Sequence, residues 1–449
     1  MIMKKRFWSL LIFLVFLAFS LVNAGTVKNV IFFIGDGCGI SIIDVSRTVL
    51  VGKEGYLSFE EAPYIGLQKT YSANTLVTDS AAAGTALATG FKTNNGYLSI
   101  TPDGKPVKTL LEAAKEKGKA TGVITTVTIT HATPAAFAAH TTSRDELPIA
   151  DQYAQFKSAD IYMGGGLSYF IPQSSSSASK RKDERNLVAE FKDAGYEFVS
   201  TPTDLEKSTA PLGKLLGLFS NEQIPYYIDR EYEKASVPTL AQMTEKALEI
   251  LNRNPNGFFI MIEGGKIDWA NHGHDPATAV WEVYEFNEAI KVALDFLKEN
   301  PDTLIIITAD HETGGIGLST GKYEYTPDIL KGQKVSAEVL TRLVKDKSDE
   351  DIKKIFTDFV GILDLKLEEL EKIKTAKALT IGDIISARAQ IGWSTTTHSG
   401  QSIPVYAFGE EAQHFAGVYE NTDIARLIAK SAGLVLSQPK EIKATSSSR

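Results

Sequence analysis

The chain has 449 residues, of which 47 are Lys or Arg and 55 are Asp or Glu, so its formal net charge at pH 7 is −8. With 43% hydrophobic and 23% charged residues, the composition is typical of a globular protein and excludes a disordered or fibrous chain. The negative charge argues against nucleic-acid binding driven by net charge. Because Cys38 is the only cysteine, no intrachain disulfide can form.

The first residues have the pattern of an export signal. Residues 1–6 are cationic, residues 7–22 are apolar and uncharged, and the small-x-small sequence Val22-Asn23-Ala24 follows, as signal peptidases require. We predict a signal peptide over residues 1–24 and an exported mature chain, periplasmic or extracellular, over residues 25–449. A membrane anchor is the alternative, but the apolar run is shorter than the ~20 residues that a spanning helix needs.

Short apolar runs predict five buried strands, at residues 30–34, 123–126, 258–262, 304–308 and 405–408. The runs are continuous rather than alternating, as in parallel strands that are buried on both faces. Between them, the patterns at 107–117, 187–194, 238–252 and 277–299 predict helices. This alternation indicates an α/β fold, with a doubly wound, mostly parallel central sheet flanked by helices.

One long segment differs in composition from the rest. Residues 332–391 contain no proline, are dense in Lys, Asp and Glu, and carry apolar residues at helical spacing, as in Val339, Leu340, Leu343 and Val344. We predict a helical, cap-like insertion into a single α/β domain of residues 25–449. A role in scaffolding or dimer contact is favoured over catalysis.

Acidic residues occur where three of the predicted strands end. Asp36 follows the first strand, Glu263 the third and Asp310 the fourth. Ligands bind at the carboxyl edge of open α/β sheets, and carboxylates gathered there repel one another unless cations neutralise them. Each acid alone would fit a simple turn, but the three together indicate metal binding.

Histidines strengthen the case for metal binding, because histidine is the commonest transition-metal ligand. Four of the seven lie in similar turn segments, namely His131, His272, His311 and His398. Asp268 and His272 are four residues apart, so one face of a helix would carry both. His274 should then point elsewhere, and we predict structural roles for His140 and His414.

Ser80 precedes a run of very small residues over positions 81–86, which predicts the start of a closely packed helix. Free N–H groups and the helix dipole at that end favour a phosphate or an incipient alkoxide. The alternative is that Asp79 or Ser80 acts only as a helix N-cap.

These residues occur in motifs that together resemble the alkaline phosphatases: Asp79-Ser80-Ala81, Glu263 five residues before Asp268, Asp310-His311-Glu312, and Thr397-His398-Ser399-Gly400. The resemblance extends in order over nearly the whole mature chain and is weakest at residues 174–225 and in the insertion. It implies a metal-dependent phosphomonoesterase of broad specificity that forms a phosphoserine intermediate at Ser80.

The resemblance also implies two zinc ions, replaceable by cobalt, and one magnesium ion. The implied ligands are Asp36, Asp310 and His311 for the zinc ion that activates the nucleophile, Asp268, His272 and His398 for the second zinc ion, and Asp36, Thr133 and Glu263 for magnesium. Arg144 matches the residue that clamps the phosphate, because its planar guanidinium can bind two phosphate oxygens at once.

Two residues depart from the best-known bacterial pattern of that family. His131 stands in place of an aspartate near the magnesium site, and Trp269 in place of a lysine near the phosphate. We expect the nitrogen of His131 to lower the preference of the third site for magnesium or to admit a transition metal. We expect Trp269 to weaken phosphate binding and to speed product release.

Two other functions compete with this interpretation. A phosphodiesterase or sulfatase of the same superfamily is disfavoured, because diesterases commonly use threonine as nucleophile and the context of Ser80 lacks a sulfatase modification motif. An exported, non-catalytic metal- or phosphate-binding protein would not need both Ser80 and Arg144. The expected partners are phosphate monoesters and inorganic phosphate. We expect no binding to nucleic acid and no membrane span after signal cleavage. The resemblance also implies a homodimer.

Overall fold

Fourteen strands lie in the part of the chain that the structure, a computed structural model, describes, which is residues 27–437 apart from 322 and 376. The predicted signal peptide lies outside the described residues. The strands are β1 (Asn29–Gly35), β2 (Tyr64–Lys69), β3 (Ala120–Thr128), β4 (Ile161–Gly165), β5 (Glu197–Val199), β6 (Leu215–Leu218), β7 (Phe258–Gly264), β8 (Thr303–Thr308), β9 (Glu312–Thr313), β10 (Ile316–Leu318), β11 (Ile391–Trp393), β12 (His398–Ser399), β13 (Ile403–Gly409) and β14 (Gly417–Glu420).

Ten of these strands form one mixed sheet in the order β14-β2-β13-β8-β1-β7-β3-β4-β6-β5. All neighbouring pairs run parallel except those of β13, which is antiparallel to both β2 and β8. Two small antiparallel pairs, β9 with β12 and β10 with β11, lie outside this sheet. The prediction of a mostly parallel α/β sheet is confirmed.

All five predicted strands are present, as β1, β3, β7, β8 and β13. The parallel direction expected for the last of them is wrong. A continuous apolar run indicates burial on both faces, and β13 has that burial over its first five residues, but burial carries no information about strand direction. Direction depends on the connection from β12, which the periodicity does not encode.

The helices of the described residues are α1 (Ile40–Leu50), α2 (Ser80–Thr89), α3 (Leu110–Glu116), α4 (Ala132–Ala138), α5 (Glu146–Phe156), α6 (Leu187–Asp193), α7 (Pro202–Lys207), α8 (Arg230–Glu233), α9 (Leu240–Leu251), α10 (Lys266–His272), α11 (Pro276–Glu299), α12 (Ala337–Val344), α13 (Asp349–Val360), α14 (Leu367–Lys374), α15 (Ala378–Arg388) and α16 (Asn421–Ser431). None of them is both long and apolar enough to cross a membrane.

Capping residues explain where the predicted helices differ from the observed ones. The helix predicted to start at residue 107 begins at Leu110, because Thr109 caps it and exchanges hydrogen bonds with Glu112 in a capping box. Thr239 and Gln242 form the same motif at the start of α9, two residues after the predicted start.

Helices cover both faces of the sheet. On one face, α1, α9 and α11 pack with the segment that contains α12 to α15, and on the other face α2 to α6 pack with α16. Alternate residues of β1 supply the two cores, with Ile31 and Phe33 on the first face and Phe32 on the second. The four helices α12 to α15 lie between β10 and β11, and the apolar stripe of α12 is largely buried.

Candidate active site

The acids predicted at the strand ends converge at the centre of the sheet. Asp36 and Asp310 follow the neighbouring strands β1 and β8, while Glu263 lies one residue before the end of β7, on the other side of β1. All three side chains are fully buried, and none of them forms an ion pair with Lys or Arg in the described chain. Buried carboxylates that no lysine or arginine neutralises are costly unless another cation does so.

The first group of ligand atoms surrounds the imidazole of His311. Its Nε2 atom lies 3.2 Å from Asp310 Oδ2, 3.4 Å from Asp36 Oδ1 and 3.2 Å from Ser80 Oγ. The two acids and His311 could hold one metal ion, as predicted for the ion next to the nucleophile. Backbone N–H groups of Gly37 and His311 donate to the other Asp310 oxygen and fix its orientation.

The second group lies on α10 and on the strand pair β9–β12. Asp268 Oδ2 is 3.2 Å from His272 Nε2, and Asp268 Oδ1 is 3.6 Å from His398 Nε2. The rings of His311 and His398 are stacked with centroids 3.5 Å apart, and Asp268, His311 and His398 could together hold a metal ion. His272 contacts Asp268 but is not one of those three residues.

Backbone carbonyl groups set the tautomers of the two outer histidines. His272 Nδ1 is 2.7 Å from the carbonyl oxygen of Thr396, and His398 Nδ1 is 2.9 Å from that of Thr78. Since a carbonyl oxygen can only accept, each Nδ1 atom carries a proton, and in the neutral ring each Nε2 atom is left with a lone pair. Both Nε2 atoms are therefore prepared to bind a cation.

The third group is rich in oxygen. Thr133 Oγ1 donates to Asp36 Oδ2 at 3.2 Å, and Glu263 accepts a hydrogen bond from Thr125. Asp36, Glu263 and His131 lie close enough together to hold one ion. His131 is the N-cap residue of α4, and burial, followed by the charge of Arg144, lowers its pKa to about 4, so its ring is neutral at neutral pH.

Several buried atoms in these groups have no hydrogen-bond partner among the described residues, namely Asp36 Oδ1, Glu263 Oε1, Asp310 Oδ2 and His131 Nδ1. Burial, together with repulsion between the acids, raises the pKa of Asp310 to about 7 and of Glu263 to about 8, and raises that of Asp36 as well. Unpartnered ligand atoms and proton-binding acids are expected where metal ions belong. The donor sets, mixed nitrogen and oxygen in two groups and mainly oxygen in the third, fit zinc and magnesium respectively.

Ser80 begins α2 and is almost fully buried. The cap role belongs to Asp79, whose Oδ1 atom accepts from Ala82 N–H, so the Ser80 hydroxyl remains available to face His311. The other oxygen of Asp79 accepts from Gly96 N–H and from Arg144 Nη1, at 3.3 Å. Asp79 thus links the start of the helix to Arg144, whose side chain is 38% exposed.

Close packing holds the serine helix and the metal groups together. Gly84 of α2 lies against α4, where an added Cβ atom would come within 3.0 Å of the Ala136 Cβ. Gly37, after β1, has a φ of +70°, and a Cβ atom there would lie 2.8 Å from Asp268 Cα. These positions require glycine, because the ligand-bearing segments approach one another at backbone distance.

Trp269 lies half-buried on α10, beside the metal groups. Its ring lies edge-on to that of His131, with centroids 6.0 Å apart. An open cleft of about 300 Å³ runs above the site and is lined by Ser80, His131, Arg144, Asp268, Trp269, His272, Glu338 and His398. The cleft therefore joins the predicted nucleophile, the predicted phosphate clamp and the three ligands predicted for the second zinc ion.

Two residues of the site, Thr313 and Glu338, were not predicted from the sequence. Thr313 donates to Asp268 Oδ1, and its hydroxyl is 3.3 Å from His311 Nδ1. Its spacing of two from His311 on an extended segment could have indicated a shared side of the backbone. Glu338 comes from α12 of the insertion, and no sequence signal connects it to the site.

His274 connects the insertion to the second metal group. Its Nε2 atom donates to the carbonyl oxygen of Thr395 at 3.0 Å, its Nδ1 atom is 2.7 Å from Asp383 Oδ1 of α15, and its ring stacks on Trp393 at 4.6 Å. Thr395 precedes Thr396, whose carbonyl group orients His272. His274 points away from the ligand atoms, as predicted, but it holds the segment on which one of them depends.

Replacing His274 with alanine should lower the affinity for zinc or cobalt by about tenfold or more, because the partners that orient ligands typically have effects of this size. Competition with a chromophoric chelator would measure the change. His140→Ala is the matched control, since His140 is also bonded through both ring nitrogens, to Ser99 and Glu112, but away from the site. Equal metal affinity in the two variants would contradict the expected role of His274.

Comparison with known proteins supports the resemblance to the alkaline phosphatases that the motifs indicate. The sequence profile of the family "Alkaline phosphatase" matches residues 27–434. Alkaline phosphatase 3 of Bacillus subtilis is 37% identical over 430 residues, covering 91% of this chain and 90% of the relative. The structure of the Thermus thermophilus alkaline phosphatase superposes with a TM-score of 0.81 at 34% identity, covering 91% of this chain and 92% of the other. The cold-active alkaline phosphatase of Shewanella sp. gives 0.80 at 33% identity, with 90% and 99% covered.

Proposed function

Since the chain belongs to the alkaline phosphatase family of enzymes, we propose that it hydrolyses phosphate monoesters of broad range through a phosphoserine at Ser80. The observation that carries the proposal is the position of Ser80 Oγ, 3.2 Å from His311 Nε2, in a cleft shared with Arg144 and bordered by buried carboxylates that form no ion pair with Lys or Arg in the described chain. A phosphoryl group held by Arg144 in this cleft would therefore lie beside the Ser80 hydroxyl.

The reaction would proceed in two steps at one serine. The Oγ atom of Ser80 attacks phosphorus, the bond to the leaving oxygen breaks, and the alcohol departs with a proton. Water then attacks the phosphoserine, the bond between phosphorus and Oγ breaks, the Ser80 oxygen takes up the proton that the water loses, and inorganic phosphate leaves. Nucleophilic catalysis usually accelerates a reaction in this way, by dividing one difficult displacement into two easier ones.

The ions would be held by the groups described above. Asp36, Asp310 and His311 would hold one zinc ion, Asp268, His272 and His398 a second, and Asp36, Thr133 and Glu263 a magnesium ion, with cobalt able to replace zinc. When bound, these cations would supply positive charge that stabilises an ionised serine, the phosphoryl oxygens and the leaving oxygen.

Arg144 would orient the phosphoryl group. Only Nη1 of its guanidinium contacts Asp79, and the remaining N–H groups have no partner among the described residues, so they can form a paired contact with two phosphate oxygens. Because Arg144 binds the phosphoryl group and not the alcohol, the alcohol can vary widely, and broad substrate specificity follows.

The proposal is tested with the purified mature chain and p-nitrophenyl phosphate, bis(p-nitrophenyl) phosphate and p-nitrophenyl sulfate. After chelation, activity toward the monoester should return on addition of Zn²⁺ or Co²⁺, with further activation by Mg²⁺. Faster turnover of the diester or the sulfate would instead support the phosphodiesterase or sulfatase alternative. Metal and phosphate binding without any turnover would support the non-catalytic alternative.

The third site should respond to replacement of His131 by aspartate. A carboxylate adds negative charge and a hard oxygen donor beside Asp36 and Glu263, which magnesium prefers to nitrogen. We expect the Mg²⁺ concentration for half-maximal activation to fall by about tenfold. Titration of activity and calorimetric titration of Mg²⁺ would both measure it, and an unchanged midpoint would contradict the proposed influence of His131.

We further propose a homodimer through the β2–β14 edge of the sheet. Ile65, Leu67 and Val418 are 50%, 42% and 67% exposed on these strands, and β14 has a free edge in the described chain. A two-fold axis would cover the same apolar patch on both copies. Val418→Asp should convert dimers to monomers in light scattering, whereas Val435→Asp, at another exposed apolar residue, should not.

Removal of the signal peptide over residues 1–24 would release the exported chain, to the periplasm or the medium. The mature residues 25–449 would form one domain, with residues 332–391 as its helical insertion.

A further inference from the structure

Two of the residues that line the cleft differ in chemistry from the rest. These are Trp269 and Glu338, which share the cleft with Ser80 and Arg144. Glu338 is exposed on α12 of the insertion, and it forms no hydrogen bond and no ion pair within the described chain. An acidic side chain that no hydrogen bond or ion pair of the described chain engages therefore lines a site that is built to bind a phosphate dianion. Its charge acts through space on the buried Lys266 and on Arg342.

A negative charge at this place repels a phosphate ester unless the ester brings a positive charge to meet it. Arg144 and the metal groups lie on the phosphoryl side of the cleft, so such a charge would belong to the leaving group. Glu338 can contact a leaving group and repel the phosphoryl group only through space, which makes its carboxylate a means of discriminating between alcohols.

The indole of Trp269 fits the same ligand. A lysine amine already lies near its ring, since Lys266 Nζ is 4.8 Å from the ring centroid and 3.7 Å from that of Tyr226, although burial lowers the pKa of that amine. Lys266 is only 3% exposed and does not line the cleft, so it leaves the cleft surface of the indole uncovered. The half-buried ring still contributes surface to the cleft, and tryptophan is the aromatic side chain that attracts cations most strongly.

We propose that Trp269 and Glu338 form a subsite for leaving groups that carry an ammonium ion, so that phosphate esters of amino alcohols are preferred substrates. This inference rests on the proposed phosphomonoesterase function. The ammonium group would lie against the indole with its charge facing the Glu338 carboxylate, while Arg144 orients the phosphoryl group. The chemistry of hydrolysis at Ser80 is unchanged, and only the affinity for the alcohol part differs.

Two isosteric substrates test the subsite. Choline phosphate and 3,3-dimethylbutyl phosphate have nearly the same shape, but the first carries a quaternary nitrogen where the second has a carbon atom. We expect kcat/KM for choline phosphate to exceed that for the neutral ester by about tenfold, the combined effect of one cation–π contact and one partly exposed ion pair. Glu338→Gln and Trp269→Leu should each reduce this ratio to about threefold or less.

Glu350→Gln is the matched control, because Glu350 is exposed on α13 of the same insertion and does not line the cleft. It removes the same charge from the chain and should leave the ratio at about tenfold. Equal kcat/KM values for the two esters in the wild type would overturn the proposal. So would an equal rise for both esters in Glu338→Gln, because Glu338 would then act on the phosphoryl group alone. If no monoester is hydrolysed at all, including p-nitrophenyl phosphate, the proposed function fails rather than the subsite.

Discussion

Ser80→Ala is expected to lower kcat for p-nitrophenyl phosphate by at least about a thousandfold, because the substitution removes the only protein atom proposed to form a bond with phosphorus. Ser80 is 2% exposed, and loss of a single oxygen atom leaves a small space without a new polar group. The folded state and the three metal groups should therefore persist. The variant should still bind Zn²⁺ and inorganic phosphate while failing to turn over the ester.

The experiment compares the variant with Ser46→Ala. Ser46 is a buried serine of α1 whose hydroxyl has no partner among the described residues, and it lies away from the cleft, so its loss should not change kcat. A second measurement follows the covalent intermediate directly. Acid quenching of wild type with substrate, followed by mass spectrometry of the peptide that contains Ser80, should find one phosphoryl group, and Ser80→Ala should have none.

Retention of more than about one tenth of wild-type kcat in Ser80→Ala would exclude serine as the nucleophile. A direct attack by water would then be required. The same conclusion would follow if a phosphoryl group appeared on another residue. Loss of Zn²⁺ binding in the variant would instead make the activity loss uninformative, which is why metal content is measured on the same samples.

The acids of the site could be predicted because each is adjacent to the end of a short apolar strand. The register of the sheet then aligns them, since Ile34 pairs with Glu263 on one side and with Thr308 on the other. That β1 has β7 and β8 as its neighbours cannot be read from periodicity, because both strands are more than two hundred residues away along the chain. Only the common chemistry of the three strand ends indicated that they meet.

Other parts of the site depend on tertiary contacts that leave no local pattern. Glu338 reaches the cleft because α12 packs on the body of the protein through its apolar stripe, and the sequence encodes the stripe but not the place where it docks. His274 has a φ of +50° and binds Asp383, 109 residues later. A single sequence contains no signal for either contact.

Removal of the metal ions is expected to lower the apparent Tm by about 10 °C or more at pH 8. An ion present at a thousand times its Kd stabilises the folded state by about 4 kcal/mol, and the site has places for more than one. Differential scanning calorimetry of the loaded protein and of the protein in excess chelator, over pH 5 to 9, would measure the difference.

The difference in Tm should widen as the pH rises. In the metal-free protein, burial raises the pKa of Asp310 to about 7 and of Glu263 to about 8, well above the ordinary values of such acids. A group whose pKa is raised by folding contributes stability that is complete below its unfolded-state pKa and is lost as the pH rises through its folded-state pKa. The metal-free protein should therefore lose stability between about pH 4 and pH 8.

The loaded protein should show the opposite tendency over the same range. Metal ions bind the ionised carboxylates and the neutral histidines, so protons compete with them less as the pH rises. Other buried acids, such as Glu282 with a pKa raised to about 7 and Asp229 with one raised to about 6, lie outside the metal groups. They influence both forms alike, so their effects cancel in the difference.

A double variant distinguishes the effect of pH on the metal groups from its effect on the other acids of the chain. Asp310→Asn with Glu263→Gln keeps the shapes of both side chains but removes the two titrations, so the metal-free Tm should become less dependent on pH than in the wild type. In Asp229→Asn, the difference in Tm between the metal-loaded and metal-free forms should stay nearly the same as in the wild type. A gap in Tm that stayed constant or narrowed toward pH 9 would mean that the buried carboxylates are not neutralised by the added ions, and the assignment of Asp36, Glu263 and Asp310 as ligands would have to be abandoned.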